Sequence, residues 1–379
     1  MIIAVNTRFL LKDKLEGIGR FTHETLQLIT KNHPEHTFYF LFDRPYDESF
    51  LYAANVIPLV VNPPARHAIL WYWWFEKSIP KVLKKIKADI FVSPDGYISL
   101  QTKIPQLAVI HDLAFIHRPN DIDYISRKYY QYYFKKFAQQ AKRIATVSEF
   151  SKDDIIKQYG INTSKIDVVY NGANENFKPL NQEEILETKK TFTDGKPYLV
   201  SVGALQPRKN ISNLLLAFDA FKKKNKSDLK LVIVGRKAWG NKEMEKTYQN
   251  MQFQNEVIFT GRVSDDLLPK LVASAEALVY IPFFEGFGLP VLEALQCNVP
   301  CIVANNSSLP EVAGFAATYC EAENIDSIEN SIEKILKTDI QLQLKSACLP
   351  QSKKYNWQKT ANLLWESIQK TITNKKEIE

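Results

Sequence analysis

The sequence predicts an α/β protein of two domains, each a largely parallel sheet flanked by helices, the two facing each other across a cleft. Three observations predict it. Short apolar runs rich in β-branched residues alternate with helix-like segments along the chain, the rhythm of βαβ units. The runs form two series, separated by the turn-rich stretch Asn171-Gly172-Ala173-Asn174-Glu175-Asn176. A length of 379 residues at 45% hydrophobic content exceeds one ordinary core and suits two. Strands are expected at residues 2–5, 37–42, 56–61, 89–92, 106–110, 143–147 and 166–170 of a first domain, residues 1–178. In a second domain, residues 179–356, they are expected at 198–202, 230–234, 257–260, 277–281, 300–303 and 317–320.

Composition narrows the partners. A formal net charge of +7 favours anionic ones, such as nucleoside diphosphates, lipid phosphates or an acidic membrane surface. No basic repeat or nucleic-acid motif accompanies it, so nucleic acid is not expected. Cys297, Cys301, Cys320 and Cys348 are too few and too irregular for a disulfide framework or a paired Cys-x-x-Cys zinc site, and read as buried free thiols. The opening MIIAVNTRFL lacks a basic leader, and no apolar run reaches the ~18 residues of a membrane span. A cytoplasmic protein is expected, with peripheral contact on the cytoplasmic face of a membrane as an option.

In the first domain, the first strand leads to Lys14-Leu15-Glu16-Gly17-Ile18-Gly19-Arg20-Phe21, a glycine pair without the third glycine of a dinucleotide fingerprint. The loop lies beyond a strand's C-terminal end, where open α/β sheets bind ligands. Gly17 and Gly19 are therefore candidates to approach a ligand by backbone; a flexible turn is the alternative. Residues 66–87, RHAILWYWWFEKSIPKVLKKIK, set Trp71, Tyr72, Trp73 and Trp74 beside lysines. Either the aromatics pack on the domain, with Pro80 interrupting the helix and the lysines solvated, or the segment touches a membrane interface.

The next strand ends in His111-Asp112. A histidine there points into the cleft with Asp112 orienting its ring, or is a core residue satisfied by backbone. His117 reads as surface loop. Asp121-Ile122-Asp123 spells an Asp-x-Asp that could hold a divalent ion, but it precedes the helical tract YISRKYYQYYFKKFAQQ, so helix capping is the simpler role. No metal site is assigned. Residues 146–155 read as strand, turn and a helix from near Ser151.

In the second domain, YLVSVGALQPRKNISNLLLAF runs from a strand into Gly203, then Pro207-Arg208-Lys209-Asn210, with Asn210 as N-cap. Arg208 offers a planar fork and Lys209 a compact charge. Cations before a helix oppose its dipole, so an anion is a better explanation than two solvated charges. Two further strand-to-glycine turns, Gly235-Arg236-Lys237-Ala238-Trp239-Gly240 and Gly261-Arg262-Val263, either flank a nucleobase or simply enter helices.

The segment EALVYIPFFEGFGLPVLEALQC, residues 276–297, reads as strand, glycine loop and helix, with Pro290 starting the helix. Unpaired N–H groups and the dipole at that start suit phosphate. Glu285 and Glu293, with seven residues between them, do not attract phosphate; they accept hydrogen bonds from sugar and ribose hydroxyls. A nucleotide sugar satisfies both demands. The alternative is that Glu293 complements the dipole in the first helical turn and Glu285 is an exposed loop acid.

The Glu, seven residues, Glu pattern within FFEGFGLPVLEAL resembles the signature of retaining glycosyltransferase family 4, or glycosyltransferase group 1, and the likeness extends over essentially the whole chain. It implies the GT-B fold of two Rossmann-like domains. It also implies transfer of a sugar from a nucleotide donor to an acceptor hydroxyl, with retention, without metal or other cofactor. On that likeness Arg208 and Lys209 hold the diphosphate, while Glu285 and the amides of Phe287 and Gly288, beside Leu289, hold the donor sugar. Glu293 takes the ribose, Arg262 and Val263 the base edge, and His111 reaches the sugar from the opposite domain. Gly17 and Gly19 approach donor phosphate and acceptor. Residues about 357–379 resemble the family's terminal helix, which crosses back to the first domain. His111-Asp112-Leu113, Arg208-Lys209-Asn210 and GRKAWG look most like mannosyltransferases, which implies GDP-mannose as donor, with UDP-sugars as the other option. The acceptor expected is a growing surface polysaccharide or another glycan, with a lipid-linked acceptor as the other option. A nucleotide-sugar epimerase on the same fold and a non-catalytic sugar-nucleotide sensor are the alternatives.

Overall fold

The computed structural model describes residues 1–12, 14–236 and 242–373. The chain divides into two compact units, one of Met1–Gly172 together with the chain from Asn356 onward, the other of Ala173–Tyr355. The boundary thus precedes Ala173 rather than following Lys178. The cause is packing: Phe177 is buried and the Lys178 backbone reaches the Cys297 thiol, so this stretch already belongs to the second unit.

The first unit is built on a parallel sheet of β1 (Ile2–Asn6), β2 (Thr37–Phe42), β3 (Val56–Val60), β4 (Ile90–Ser93), β5 (Gln106–Val109), β6 (Arg143–Thr146) and β7 (Ile166–Val168) in the order β3-β2-β1-β4-β5-β6-β7. Every residue of β4 and β5 is buried, as a sheet covered by helices on both faces requires. β1 pairs with β2 on one side and β4 on the other, so the strand order reverses there. The helix Trp357–Thr373 packs on the helix Gly17–Asn32 and on β4 to β7. Trp365 stacks on His33 at 3.7 Å, and Ser367 donates to Asp167. The remainder of the expected terminal helix, 374–379, lies outside the described residues.

The second unit carries β8 (Tyr198–Val202), β9 (Lys230–Val234), β10 (Val257–Gly261), β11 (Ala277–Tyr280), β12 (Cys301–Ala304) and β13 (Ala317–Cys320) in the order β10-β9-β8-β11-β12-β13, all parallel. Here the reversal lies between β8 and β11. Such switch points open a crevice at the C-terminal strand ends, and they bring together the loops after β8 and β11, which carry the residues singled out above. Each strand expected from the sequence is present within one or two residues. All four cysteines are buried and free. Among the described residues no helix is long and apolar enough to cross a membrane.

Segment 66–87 is not one helix broken at Pro80. It runs α-helix Ala68–Trp73, π-turn Trp74–Ser78, α-helix Ile79–Ile86. Pro80 has no N–H to return to Glu76, and the turn before it widens. The carboxylate of Glu76 turns inward and accepts from Leu100 N at 3.0 Å.

Candidate active site

In the second unit the strand-end turns are stitched together by backbone. Gly203 N donates to Val234 O at 2.9 Å, Leu205 N to Arg236 O at 3.0 Å and Gly235 N to Gly261 O at 2.9 Å. The contact is so close that a Cβ on Gly235 would lie 1.8 Å from Gly203 O. From Gly203 the chain enters the 3₁₀ turn Pro207–Lys209, and Phe283 N donates to Arg208 O at 3.0 Å, joining the β8 and β11 loops. Asn210 precedes the helix Ile211–Lys224 but does not cap it. Its backbone is left-handed, φ 61°, and its buried amide donates to Ile281 O and Ala322 O. It pins the turn across the sheet edge instead.

This pinning delivers two cations to one carboxylate oxygen. Oε2 of Glu285 accepts from Lys209 Nζ at 2.6 Å, Tyr280 Oη at 2.8 Å and Arg208 Nη1 at 3.1 Å. Lys209 also donates to Tyr280 Oη at 2.5 Å, and Arg208 to Phe284 O at 3.0 Å. Burial alone would raise the Glu285 carboxyl, but Lys209 and Arg208 outweigh it and hold its pKa at about 2. Burial, with Glu285 beside it, pushes the Tyr280 hydroxyl well above its ordinary range, so it stays a donor. A carboxylate this firmly ionised is a weak base and a weak nucleophile; it is suited to accept hydrogen bonds and to hold cations in place. Among the described residues nothing donates to its Oε1.

The loop around Glu285 is clamped by the turn after β12. Asn306 Nδ2 donates to Pro282 O at 3.1 Å, Glu285 N to Ser307 Oγ at 3.3 Å, and Ser308 Oγ to Glu285 O at 3.0 Å. Gly288 then takes φ 100° ahead of the helix Leu289–Gln296, a conformation that favours glycine. Phe287 is buried, edge-on to Tyr355 at 5.6 Å, and Leu289 is half-buried. Glu293 is the fifth residue of its helix, half-buried. It therefore lies beyond the first turn, where a role in complementing the dipole fades. Arg262, exposed, and Val263, half-buried, follow the left-handed Gly261. Residues 237–240 of GRKAWG lie outside the described residues.

In the first unit Gly17 and Gly19 are not in a loop; they occupy the first turn of the helix Gly17–Asn32. Gly19 is there for packing, since a Cβ would meet Phe9 O at 2.7 Å, whereas Gly17 is exposed with open space around it. His111 follows β5, and its Nε2 lies 2.8 Å from Pro94 O. A carbonyl only accepts, so Nε2 carries the hydrogen and Nδ1 is an acceptor in the neutral ring. Burial lowers the His111 pKa, against the opposing pull of the Pro94 carbonyl and Asp112. The ring is oriented by that carbonyl and by Phe21, edge-on at 5.0 Å. Asp112 does not orient it: its carboxylate accepts from Ala114 N at 2.9 Å. His117 is no loop residue either; it ends the short helix Ala114–His117 and pairs with Asp154 at 2.8 Å. Asp123 caps the helix Tyr124–Gln140 by accepting from Ser126 N, and Asp121 pairs with Arg118.

Sequence reasoning missed Tyr280, the Asn306–Ser308 clamp, and a buried pair at the reversal of the first sheet. Arg8 Nε donates to Asp95 at 2.5 Å, Asn6 bonds Asp95 and Ser93, and the Arg8 guanidinium lies 4.2 Å from the Tyr97 ring centre. Burial works against the Arg8 charge, but Asp95 and Tyr97 outweigh it. The available signal was weak: each residue merely follows a strand, and only the strand order makes β1 and β4 neighbours.

The low Glu285 pKa has a consequence for stability. The folded value is about 2 against an ordinary 4.5, so the carboxylate contributes roughly 3 kcal/mol above pH 4.5, lost as pH falls towards 2. Urea unfolding of wild type and Glu285→Gln at successive pH values between neutral and acid checks this. The wild type should lose more stability on acidification than the variant; parallel profiles would contradict the coupling.

Two family models account for most of the chain: Glycosyltransferase Family 4 over residues 15–177 and Glycosyl transferases group 1 over residues 182–354. The protein belongs to these family 4, group 1 glycosyltransferases. It is 28% identical over 278 residues to O-antigen chain mannosyltransferase B of Escherichia coli, covering 73% of each chain. It is 26% identical over 294 residues to O-antigen chain mannosyltransferase RfbU of Salmonella typhimurium, covering 76% of this chain and 78% of that one. Among solved structures, a glycosyltransferase from Rickettsia africae superimposes with a TM-score of 0.75 at 17% identity, over 98% of this chain and 99% of that one. The fold is GT-B.

Proposed function

We propose that this enzyme transfers a hexose, first of all mannose from GDP-mannose, to a hydroxyl of a growing surface polysaccharide carried on a lipid, with retention and without a metal ion. The observation that carries the reading is the convergence of Arg208 and Lys209 on Glu285 Oε2. It holds two cations beside a helix N-terminus, where a departing diphosphate develops charge. The names of the Escherichia coli and Salmonella relatives support mannose and an O-antigen-like acceptor.

In this reading Arg208 and Lys209 bind the diphosphate. Oε1 of Glu285 and the amides of Phe287 and Gly288, beside Leu289, bind the sugar. Glu293 takes the ribose, and Arg262 and Val263 the base. In the first unit His111 offers Nδ1 as an acceptor for a hydroxyl, and the exposed Gly17, with Gly19 behind it, offers backbone. The acceptor oxygen bonds to the anomeric carbon as the bond to the diphosphate oxygen breaks, and the acceptor proton passes to that oxygen. Glu285, held ionised by its three donors, is a poor candidate for an enzymic nucleophile, which favours attack from the leaving-group face.

Thermal stabilisation by GDP, UDP and ADP, each with and without EDTA, tests the proposal. A nucleotide at a hundred times its Kd should add about 2.7 kcal/mol. A shift with GDP that EDTA leaves intact supports the reading. A UDP-specific shift transfers it to UDP-sugars, an EDTA-sensitive one overturns the metal-free site, and no shift overturns the roles of Arg208, Lys209 and Glu293.

A further inference from the structure

We propose that the outer face of the helices Ala68–Trp73 and Tyr124–Gln140 docks on an anionic phospholipid bilayer. The two helices pack against each other in the first unit. Their inner sides are satisfied: Trp71 stacks on Tyr130 at 5.7 Å and 11°, meets Tyr129 edge-on at 5.3 Å, and donates through Nε1 to Ala65 O. Of the four clustered aromatics, Trp74 is also buried, but Tyr72 and Trp73 are not.

What remains outside is apolar. Ile69, Tyr72 and Trp73 are exposed on the first helix, Trp73 by 51%. Tyr124, Ile125 and Tyr132 are exposed on the second, Ile125 by 66% and Tyr132 by 58%. Single exposed apolar residues are ordinary; a group on adjoining elements marks an interaction site. The two sets lie on adjoining elements, because the helices that carry them pack together with Trp71 of the first against Tyr129 and Tyr130 of the second. On the second helix Ile125, Lys128, Tyr132, Lys135 and Lys136 follow helical spacing along one stripe, while Tyr129, Phe134 and Phe137 line the buried stripe.

Charge selects the occupant. The helix Tyr124–Gln140 holds Arg127, Lys128, Lys135 and Lys136 and no acid. The only acid of residues 66–87 is Glu76, which is buried. Lys136 Nζ lies 3.5 Å from the Tyr132 ring centre and Lys128 Nζ 5.5 Å from that of Tyr124, so long cationic side chains lie over aromatic bodies, the arrangement of residues that sit at a bilayer interface. Lysine is depleted at protein–protein interfaces but attracted to anionic headgroups. The inference does not depend on which sugar the enzyme transfers.

Co-sedimentation of the whole chain with phosphatidylcholine vesicles, with and without phosphatidylglycerol, tests it. Binding is expected only with phosphatidylglycerol and should weaken with salt. Lys128→Glu/Lys135→Glu/Lys136→Glu should lower the partition coefficient by about a hundredfold and Tyr72→Ser/Trp73→Ser by about tenfold, both with an unchanged thermal midpoint. Trp73→Phe should keep binding while losing part of the vesicle-induced blue shift in tryptophan emission. No binding to phosphatidylglycerol vesicles, or binding that the serine and glutamate variants leave intact, overturns the proposal. So does a homodimer, seen by sedimentation velocity, that these substitutions dissolve: the face would then belong to a second copy.

Discussion

Arg208→Ala is expected to lower the rate of sugar transfer by about 10²–10³-fold while the second unit stays folded. The guanidinium gives one nitrogen to Phe284 O and Glu285 Oε2. After truncation Glu285 still accepts from Lys209 and Tyr280, and the Asn306–Ser308 turn still grips its backbone. The structural loss is then about 1–2 kcal/mol. The catalytic loss is larger because a cation fixed in advance acts most on charge that develops as the bond to diphosphate breaks, so kcat should fall by a larger factor than KM rises. Arg208→Lys keeps the charge but not the planar fork and should recover only part of the rate. Steady-state transfer beside a thermal midpoint separates the two losses; a rate like the wild type's would remove Arg208 from the site.

Gly235→Ala is expected to cost the second unit more than about 4 kcal/mol, enough to abolish soluble, nucleotide-binding protein. The added Cβ would lie 1.8 Å from Gly203 O and 2.7 Å from Gly203 C, both backbone atoms. Neither strand end can yield cheaply. Gly203 N is bonded to Val234 O and Leu205 N to Arg236 O, and Gly203 itself has φ 150°, in the region that favours glycine. Parting the strands would break these bonds and displace the turn that carries Arg208 and Lys209. Gly17→Ala is the control for folding, since nothing lies within 4 Å of its Cβ position. A calorimetric midpoint for Gly235→Ala within a degree or two of the wild type's would show that the contact relaxes.

The strands could be read because each is a short apolar run that two helical layers must cover, so its burial is written locally. β4 and β5 are four residues each and wholly buried; such runs are too short for a buried helix, and their length favours a strand covered on both faces. The same locality exposed the glycine turns and the polar residues placed among them. It failed where a side chain serves two levels at once. Tyr280 reads as one more strand residue, yet its hydroxyl joins Lys209 to Glu285. Asn210 has the chemistry of an N-cap, yet its left-handed backbone precedes the helix uncapped and its amide is used across the sheet edge, donating to Ile281 O and Ala322 O. Residues 66–87 look alike in sequence, yet Trp71 and Trp74 turn inward while Tyr72 and Trp73 face out.

The amino-acid order alone established two parallel α/β units and singled out most of the residues to which a nucleotide-sugar chemistry is assigned in the proposal, because hydrophobic period, turn residues and isolated charges report on their own neighbourhoods. It could not establish which oxygen takes which cation, that Asp112 leaves the His111 ring to a carbonyl, or that Arg8 meets Asp95. Those partners lie 76 and 77 positions apart in the Lys209–Glu285 and Arg208–Glu285 bonds and 87 in the Arg8–Asp95 bond. They meet only because strand order reverses beside β1 and beside β8. Strand order is a property of the packed sheet: it depends on which helices cover which face, and no local stretch of sequence contains it.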